Sequence, residues 1–214
     1  MTVRGLVALA ATVLAALAFT ACSTAAPREA NAPVALFIGD SYTEGTGLTG
    51  EDLRARWTTV VSGQLGWKEV NAGCAGSGYV RRGLLCNNTF AERIPTVAFT
   101  EPDIVVMTGG INDIGSTPAE GAAAAVATLE ALVAAFPDAH VIVIGGIAYA
   151  DSTPETVTAI NQALSASAGE LGVTYIDIGE PLLDDPTLLG IDGLHPTVDG
   201  HAEVARRVLE ALGR

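Results

Sequence analysis

Three side chains in this 214-residue sequence have the types that nucleophilic acyl chemistry requires. Ser41 stands in Gly39-Asp40-Ser41, directly after an apolar run, and Asp192-Gly193-Leu194-His195 lies near the C-terminus. Serine is a weak nucleophile until a base takes its proton, and histidine does this best when a carboxylate fixes its tautomer. Of the three histidines, only His195 has an aspartate three residues before it. Ser41, His195 and Asp192 are therefore the candidate nucleophile, base and base-orienter.

Such groups must be positioned by a scaffold, and the pattern around them is that of alternating strands and helices. Residues 34–38, 69–72, 104–108, 141–144 and 173–178 are short apolar, mostly β-branched runs, as expected of strands covered on both faces. Helical patterns lie between them, at about 53–65, 118–136, 154–171 and 198–212. Thr117-Pro118-Ala119-Glu120 fits a capping box with proline at the first helical position, and Thr153-Pro154-Glu155 is a similar start. Gly172 can close the helix that begins there. Repeated β-α-β units imply one α/β domain, a three-layer α/β/α sandwich with a central parallel sheet of about five strands. Residues 71–95 are the least regular part, rich in Gly and Asn.

In a sheet of this kind, sites form where the carboxyl ends of the strands meet the following loops. The Ser41 motif ends the first strand, and a glycine-rich stretch from Gly73 to Gly78 follows the second. Gly109-Gly110-Ile111-Asn112-Asp113 follows the third, and Asp192 to His195 follows the last. Taken singly, each stretch also reads as an ordinary turn or helix cap. Their convergence on one sheet edge favours catalysis.

With these four blocks in order, the chain resembles the SGNH hydrolases, also called the GDSL esterase/lipase family. The blocks are Gly39-Asp40-Ser41, Asn71-Ala72-Gly73-Cys74-Ala75-Gly76, Gly110-Ile111-Asn112-Asp113 and Asp192-Gly193-Leu194-His195. The resemblance runs from about residue 34 to the C-terminus and implies the flavodoxin-like fold of that family. It makes Ser41 the nucleophile, His195 the base and Asp192 its orienter. It assigns the oxyanion hole to the backbone N–H of Ser41, the backbone N–H of Gly76 and the side-chain amide of Asn112. Gly76 is preferred to Gly73 because the family's donor glycine comes five residues after the block's Asn, here Asn71. The implied activity is hydrolysis of carboxylic esters through an acyl-enzyme. Few apolar stretches occur in the loops, which favours short acyl or O-acetyl groups, on a small-molecule or polymer ester. A lysophospholipase or thioesterase of the same family is an alternative, as is a surface lipoprotein that binds a ligand with an idle triad.

The remaining expectations concern targeting, cysteines and charge. Residues 1–21 carry one positive residue, Arg4, and an apolar run over 5–19, the pattern of a signal peptide. Phe19-Thr20-Ala21-Cys22 resembles a bacterial lipobox, with Phe19 in place of the usual aliphatic residue, so Cys22 is the candidate lipidation site. Cleavage in the alanine-rich stretch and free secretion is the alternative. Residues 22–33 read as a flexible tether and 34–214 as the hydrolase domain. Cys74 and Cys86 are the two cysteines of the globular part, open to a disulfide in an exported chain or to two buried thiols. Because Cys74 lies inside the oxyanion block, a bridge there would brace the loop that carries Gly76.

The formal charge is −13, from 11 Lys plus Arg against 24 Asp plus Glu, and removing residues 1–21 deletes Arg4 but no acid. No basic segment exists, which argues against nucleic acid and against an electrostatic grip on anionic lipid, leaving membrane contact to an anchor at Cys22. No Cys-x-x-Cys pair or histidine cluster has zinc-ligand spacing, and the chemistry implied needs neither metal nor cofactor. His140 and His201 read as structural, and Asp40 and Asp113 as loop-shaping. Tyr42, Glu44, Arg81 and Arg82 read first as exposed loop residues, with contact to substrate as the alternative. Asn87-Asn88-Thr89 matches a glycosylation pattern that a lipobox-bearing bacterial chain would not use.

Overall fold

The computed structural model describes residues 31–148, 154–183 and 185–214. The expected leader, Cys22 and nearly all of the tether lie outside the described residues. Five strands form one parallel sheet: β1 (Val34–Gly39), β2 (Lys68–Gly73), β3 (Ile104–Thr108), β4 (His140–Ile144) and β5 (Thr174–Ile176). Their order is β2-β1-β3-β4-β5. The chain therefore leaves β1 towards one side and later returns to β3 on the other, so the crevice at the carboxyl ends of β1 and β3 is the topological switch point.

The strand residues alternate between two apolar layers, as a two-residue side-chain period requires. Leu36, Ile38, Val105, Met107, Val141 and Val143 point to one layer, which is closed by Phe90, Leu129, Leu132, Ile160 and Leu164. Ala35, Phe37, Val106, Ile142 and Ile144 point to the other, closed by Trp57, Val61, Val204 and Val208. The covering helices are α2 (Trp57–Leu65), α3 (Phe90–Val97), α4 (Pro118–Ala135), α5 (Glu155–Ala168) and α6 (Val198–Ala211). The first layer lies beneath α3, α4 and α5, and the second beneath α2 and α6. The expected three-layer α/β/α sandwich is what the chain forms.

Differences from the sequence reading have local causes. The helix expected over 53–65 is split into a 3-10 turn, Gly50–Ala55, and α2, because Arg56 between them is extended at φ −53° and ψ 133°. Its guanidinium holds the Glu44 carbonyl at 2.9 Å and Glu69 Oε1 at 3.1 Å, which pins that kink. β5 is shorter than expected at both ends. The Val173 N–H bonds back to the Ala168 carbonyl at 2.9 Å, and the Asp177 carboxylate captures the Gly179 N–H at 2.8 Å. The regular part of α5 ends at Ala168, and Gly172, left-handed at φ +69°, closes it as expected, with the Val173 N–H turned back onto the Ala168 carbonyl. Thr117 and Glu120 form the expected reciprocal capping box of α4.

Helix α3 was not anticipated, since it falls in the stretch taken as irregular. It begins with a full capping box between Thr89 and Glu92 and contains Pro95, stopping two residues later. The signal was present as Thr-x-x-Glu, hidden by the proline and by reading Asn87-Asn88-Thr89 as a glycosylation pattern.

Candidate active site

At the end of β1 the chain turns sharply into the one-turn helix α1 (Ser41–Glu44). Gly39 is required by close approach, because a Cβ there would lie 2.1 Å from Thr43 Oγ1 and 2.9 Å from the Thr108 carbonyl. Asp40 caps α1 by accepting the Tyr42 N–H at 3.0 Å. Its carboxyl is fully enclosed, and burial pushes its pKa up to about 6, aided by the nearby Asp113 carboxylate. Ser41 follows with 6% of its surface exposed.

The end of β2 is tied to this turn from several directions. The Asn71 amide donates to the Thr43 carbonyl at 2.6 Å and its oxygen accepts the Gly73 N–H at 2.9 Å. The Cys74 N–H donates to the Gly39 carbonyl at 3.0 Å. Arg93, on α3 and buried, donates to the carbonyls of Gly39 and Ala72, both at 2.8 Å. One guanidinium thus clamps the last residue before Asp40-Ser41 and the last before Gly73. Burial lowers its pKa, opposed by the charges of Asp40 and Glu44.

Beyond β2, Gly76 sits at φ +74°, in the left-handed region that glycine adopts without strain. A disulfide joins Cys74 to Cys86, and the loop it closes brings the Leu84 N–H onto the Ala75 carbonyl at 2.9 Å. Leu84 is packed over Gly76, so that a Cβ there would lie 2.8 Å from Leu84 Cγ. The expected bridge is therefore present, and it closes the loop whose bracing the position of Cys74 suggested. A closed loop of this size stabilises by roughly 3 kcal/mol in the chain-entropy model. Treatment with a reductant is therefore expected to lower the thermal midpoint and the esterase rate together. Full retention of both would show that the bridge braces nothing.

After β3, Asn112 and Asp113 lie in a 3-10 turn, Ile111–Asp113. One N–H of the Asn112 amide donates to the Ser77 carbonyl at 2.9 Å, which fixes the amide plane and leaves its second N–H for the crevice. The buried Asp113 carboxylate accepts the backbone N–H groups of Tyr79, Val80 and Arg81 at 2.8, 3.0 and 2.8 Å. Asp113 thus shapes the loop, as its place beside Asn112 suggested.

The C-terminal block forms its own compact turn. Asp192 Oδ1 accepts the N–H groups of Leu194 and His195, both at 3.0 Å, while Oδ2 lies 2.7 Å from His195 Nδ1. These bonds, that to the imidazole first, hold the Asp192 carboxyl well below the usual carboxylate range. An Nδ1–H donated to Asp192 leaves Nε2 of a neutral ring as acceptor. Tyr42, next to Ser41, ties this turn to the first: its hydroxyl donates to the Leu194 carbonyl at 2.6 Å and its ring meets that of His195 edge-on at 6.2 Å.

The four blocks open onto one cavity of about 330 Å³, walled by Ser41, Gly76, Asn112 and His195 together with Thr46, Ala75, Arg81, Leu84, Ile111, Ile114 and Leu194. Asp192 stands behind His195, half exposed. A larger concavity of about 580 Å³ lies beside α5 and β5, lined by Asn161, Tyr175 and Asp177 among others, and contains none of the four blocks. Sequence reasoning missed Arg93, whose partners are 21 and 54 residues away. It also missed Leu84 and Ile114, exposed aliphatic residues contributed singly by separate loops.

The other histidines stand apart from this chemistry. His140 is exposed and pairs through Nε2 with Thr174 Oγ1 at 2.9 Å. His201 is fully buried, with Nδ1 3.4 Å from the Trp57 N–H, and burial lowers its pKa to about 4. Unfolded, it takes up its proton near pH 6.5. Between these values the unfolded chain binds the extra proton, so His201 subtracts stability as pH falls through that window. Asp40, raised to about 6, acts in the opposite sense. His201→Asn is expected to reduce the loss of unfolding free energy between pH 7.5 and 4.5 by about 2 kcal/mol relative to wild type. Parallel denaturation profiles for the two proteins would contradict this.

The chain matches the GDSL-like lipase/acylhydrolase family over residues 37–203. It is 29% identical over 185 residues to a GDSL lipase of Mycobacterium tuberculosis, covering 82% of this chain and 79% of that one. Among solved structures it is similar in fold to TesA, with a TM-score of 0.66 at 21% identity over 84% of this chain and 97% of that one. A lipolytic protein of the G-D-S-L family from Veillonella parvula gives 0.66 at 20% identity, over 84% and 98% of the two chains. A family two carbohydrate esterase from Cellvibrio japonicus gives 0.65 at 18% identity, over 85% of this chain and 61% of that one. With the family motifs meeting at one crevice of the expected fold, the chain belongs to the GDSL-like lipase/acylhydrolase family and is a serine hydrolase of ester bonds.

Proposed function

We infer that Ser41, His195 and Asp192 carry the hydrolysis, with the N–H groups of Ser41, Gly76 and Asn112 as the oxyanion hole. The observation that carries this reading is the Asp192–His195 pair, bonded at 2.7 Å, with His195 on the wall of a cavity that it shares with Ser41, Gly76 and Asn112. Ser41 Oγ attacks the ester carbonyl as His195 Nε2 takes its proton. Charge develops on the carbonyl oxygen, where each preorganised donor is worth about 3–4 kcal/mol. His195 then protonates the departing alcohol, and water, activated by the same nitrogen, releases the acid from Ser41. Asp192 holds the tautomer throughout and stabilises the imidazolium that forms.

The acyl group is short. A cavity of about 330 Å³ is at the small end of ligand sites, which run from about 300 to 1,000 Å³, and its aliphatic wall suits an acetyl to butyryl group. The alcohol part is a small alcohol or an O-acetylated polymer. The protein acts outside the cytoplasm, exported by residues 1–21 and held to the membrane through Cys22, a reading supported by the Arg4-led apolar run and the lipobox-like Phe19-Thr20-Ala21-Cys22. Rates on 4-nitrophenyl esters of increasing chain length, with an acetylated polysaccharide alongside, test the choice of acyl group. We expect kcat/KM to be highest at two to four carbons and to fall at least about tenfold by eight, the apolar pocket being too short. A maximum at eight carbons or beyond would overturn the short-acyl reading.

A further inference from the structure

We propose that Arg81 is an anion subsite of the same cavity, so that the natural ester carries a carboxylate, phosphate or sulfate close to its scissile bond. This rests on the reading of the cavity as the place of ester hydrolysis. Arg81 is exposed and is the one permanent cation among the residues that line it.

Its backbone is fixed on both sides. The N–H donates to the buried Asp113 carboxylate at 2.8 Å, and the carbonyl accepts the Gly78 N–H at 2.9 Å. The anchoring carboxylate is therefore spent on the loop's amides and holds the Arg81 backbone at the cavity wall. The guanidinium itself has no hydrogen bond or ion pair among the described residues. Apart from Arg214 at the last position, that contrasts with the other described arginines: Arg54 pairs with Glu51, Arg56 with Glu69, Arg82 with Glu92, and Arg206 and Arg207 with Glu203. Arg93 is bound to carbonyls. In a chain with 24 acidic and 11 basic residues, an arginine beside the nucleophile with no acid on it has a free fork.

The acids of the four blocks, and Glu44 beside them, are already engaged or buried. Asp192 is bonded to His195, Glu44 accepts the Thr46 hydroxyl at 2.7 Å, and Asp40 and Asp113 are buried. The net field of the chain repels anions, so an anionic substrate needs a local cation to dock, and a planar guanidinium offers two parallel N–H donors to a carboxylate or phosphate. Leu84 and Ile114 contribute aliphatic surface to the same cavity. The cavity that holds Ser41 thus combines aliphatic surface with one cation.

Two pairs of esters test this and place the charge. The first pair, 4-nitrophenyl hemisuccinate and 4-nitrophenyl acetate, puts the anion on the acyl part. The second, 4-acetoxybenzoate and its methyl ester, puts it on the alcohol part. In one pair the ratio of anionic to neutral kcat/KM should fall about tenfold in Arg81→Gln, through KM, and partly recover in Arg81→Lys. Arg54→Gln removes the same formal charge at a residue that does not line the cavity and should leave that ratio as in wild type. A ratio unmoved by Arg81→Gln in both pairs, or moved equally by Arg54→Gln, overturns the subsite. Binding of 4-acetoxybenzoate and of succinate to the Ser41→Ala protein separates this proposal from the hydrolytic one. Loss of affinity for at least one of these anions on adding Arg81→Gln supports the subsite even if ester turnover fails. Affinities unchanged for both overturn it even if turnover succeeds.

Discussion

Ser41→Ala is expected to lower kcat/KM on a short-chain nitrophenyl ester by at least about a thousandfold, the scale on which triad removal acts. Nothing in the fold depends on the hydroxyl: α1 is held by the Asp40 cap and the Asn71, Tyr42 and Arg93 bonds, all of which survive the substitution. The variant should therefore unfold at nearly the wild-type temperature. His195→Ala should lose a similar factor, and the double variant should lose little more, because nucleophile and base act as one unit. Losses that multiply in the double variant would mean that the two residues work separately.

The second large effect is on stability. Arg93→Met should destabilise the protein by about 3 kcal/mol or more. Its guanidinium donates to the carbonyls of Gly39 and Ala72 and to Asn88 Oδ1, and also approaches Cys86 Sγ at 3.4 Å. Methionine fills the volume but satisfies none of these groups. Two buried carbonyls at the carboxyl ends of β1 and β2 would lose their cation-assisted bonds, and Asp40 would lose its favourable charge. Since those strand ends carry Ser41 and the Gly76 loop, activity should fall along with stability. Arg93→Lys should not restore it, because one ammonium on a flexible stem does not reach all the partners of a planar fork. A denaturation midpoint for Arg93→Met close to wild type would show that the clamp is dispensable.

Arg93 also marks the boundary of what the sequence reveals. The strands, the two layers and the four blocks follow from local pattern: period-two alternation, capping residues and turn chemistry act over a few residues. The Asp192–His195 bond is local as well, three residues apart, which is why that pair stood out in the sequence. Arg93 reaches across 54 residues to Gly39, and Tyr42 across 152 to Leu194. No spacing rule detects such contacts, because they are created when the fold brings the ends of β1 and β2 and the loop before α6 together. The aliphatic wall was hidden for the same reason. Leu84 and Ile114 come one at a time from two loops, so a search for apolar runs passes over them. The Cys74–Cys86 bridge could be suspected from cysteine count, but its purpose emerges only with Leu84 lying over Gly76.

The central claim is that Asp192 and His195 activate Ser41 in a cavity whose donors await an oxyanion. A fluorophosphonate loses fluoride to a serine that a base has activated and leaves a polarised phosphonyl oxygen at the oxyanion site, so it reports on both at once. Mass mapping of the labelled protein should find one adduct, on the peptide that contains Ser41, with esterase activity lost in proportion to labelling. Labelling should vanish in Ser41→Ala and slow sharply in His195→Ala. Labelling at another serine with the same loss of activity, or an active enzyme that the reagent leaves untouched, would contradict the account.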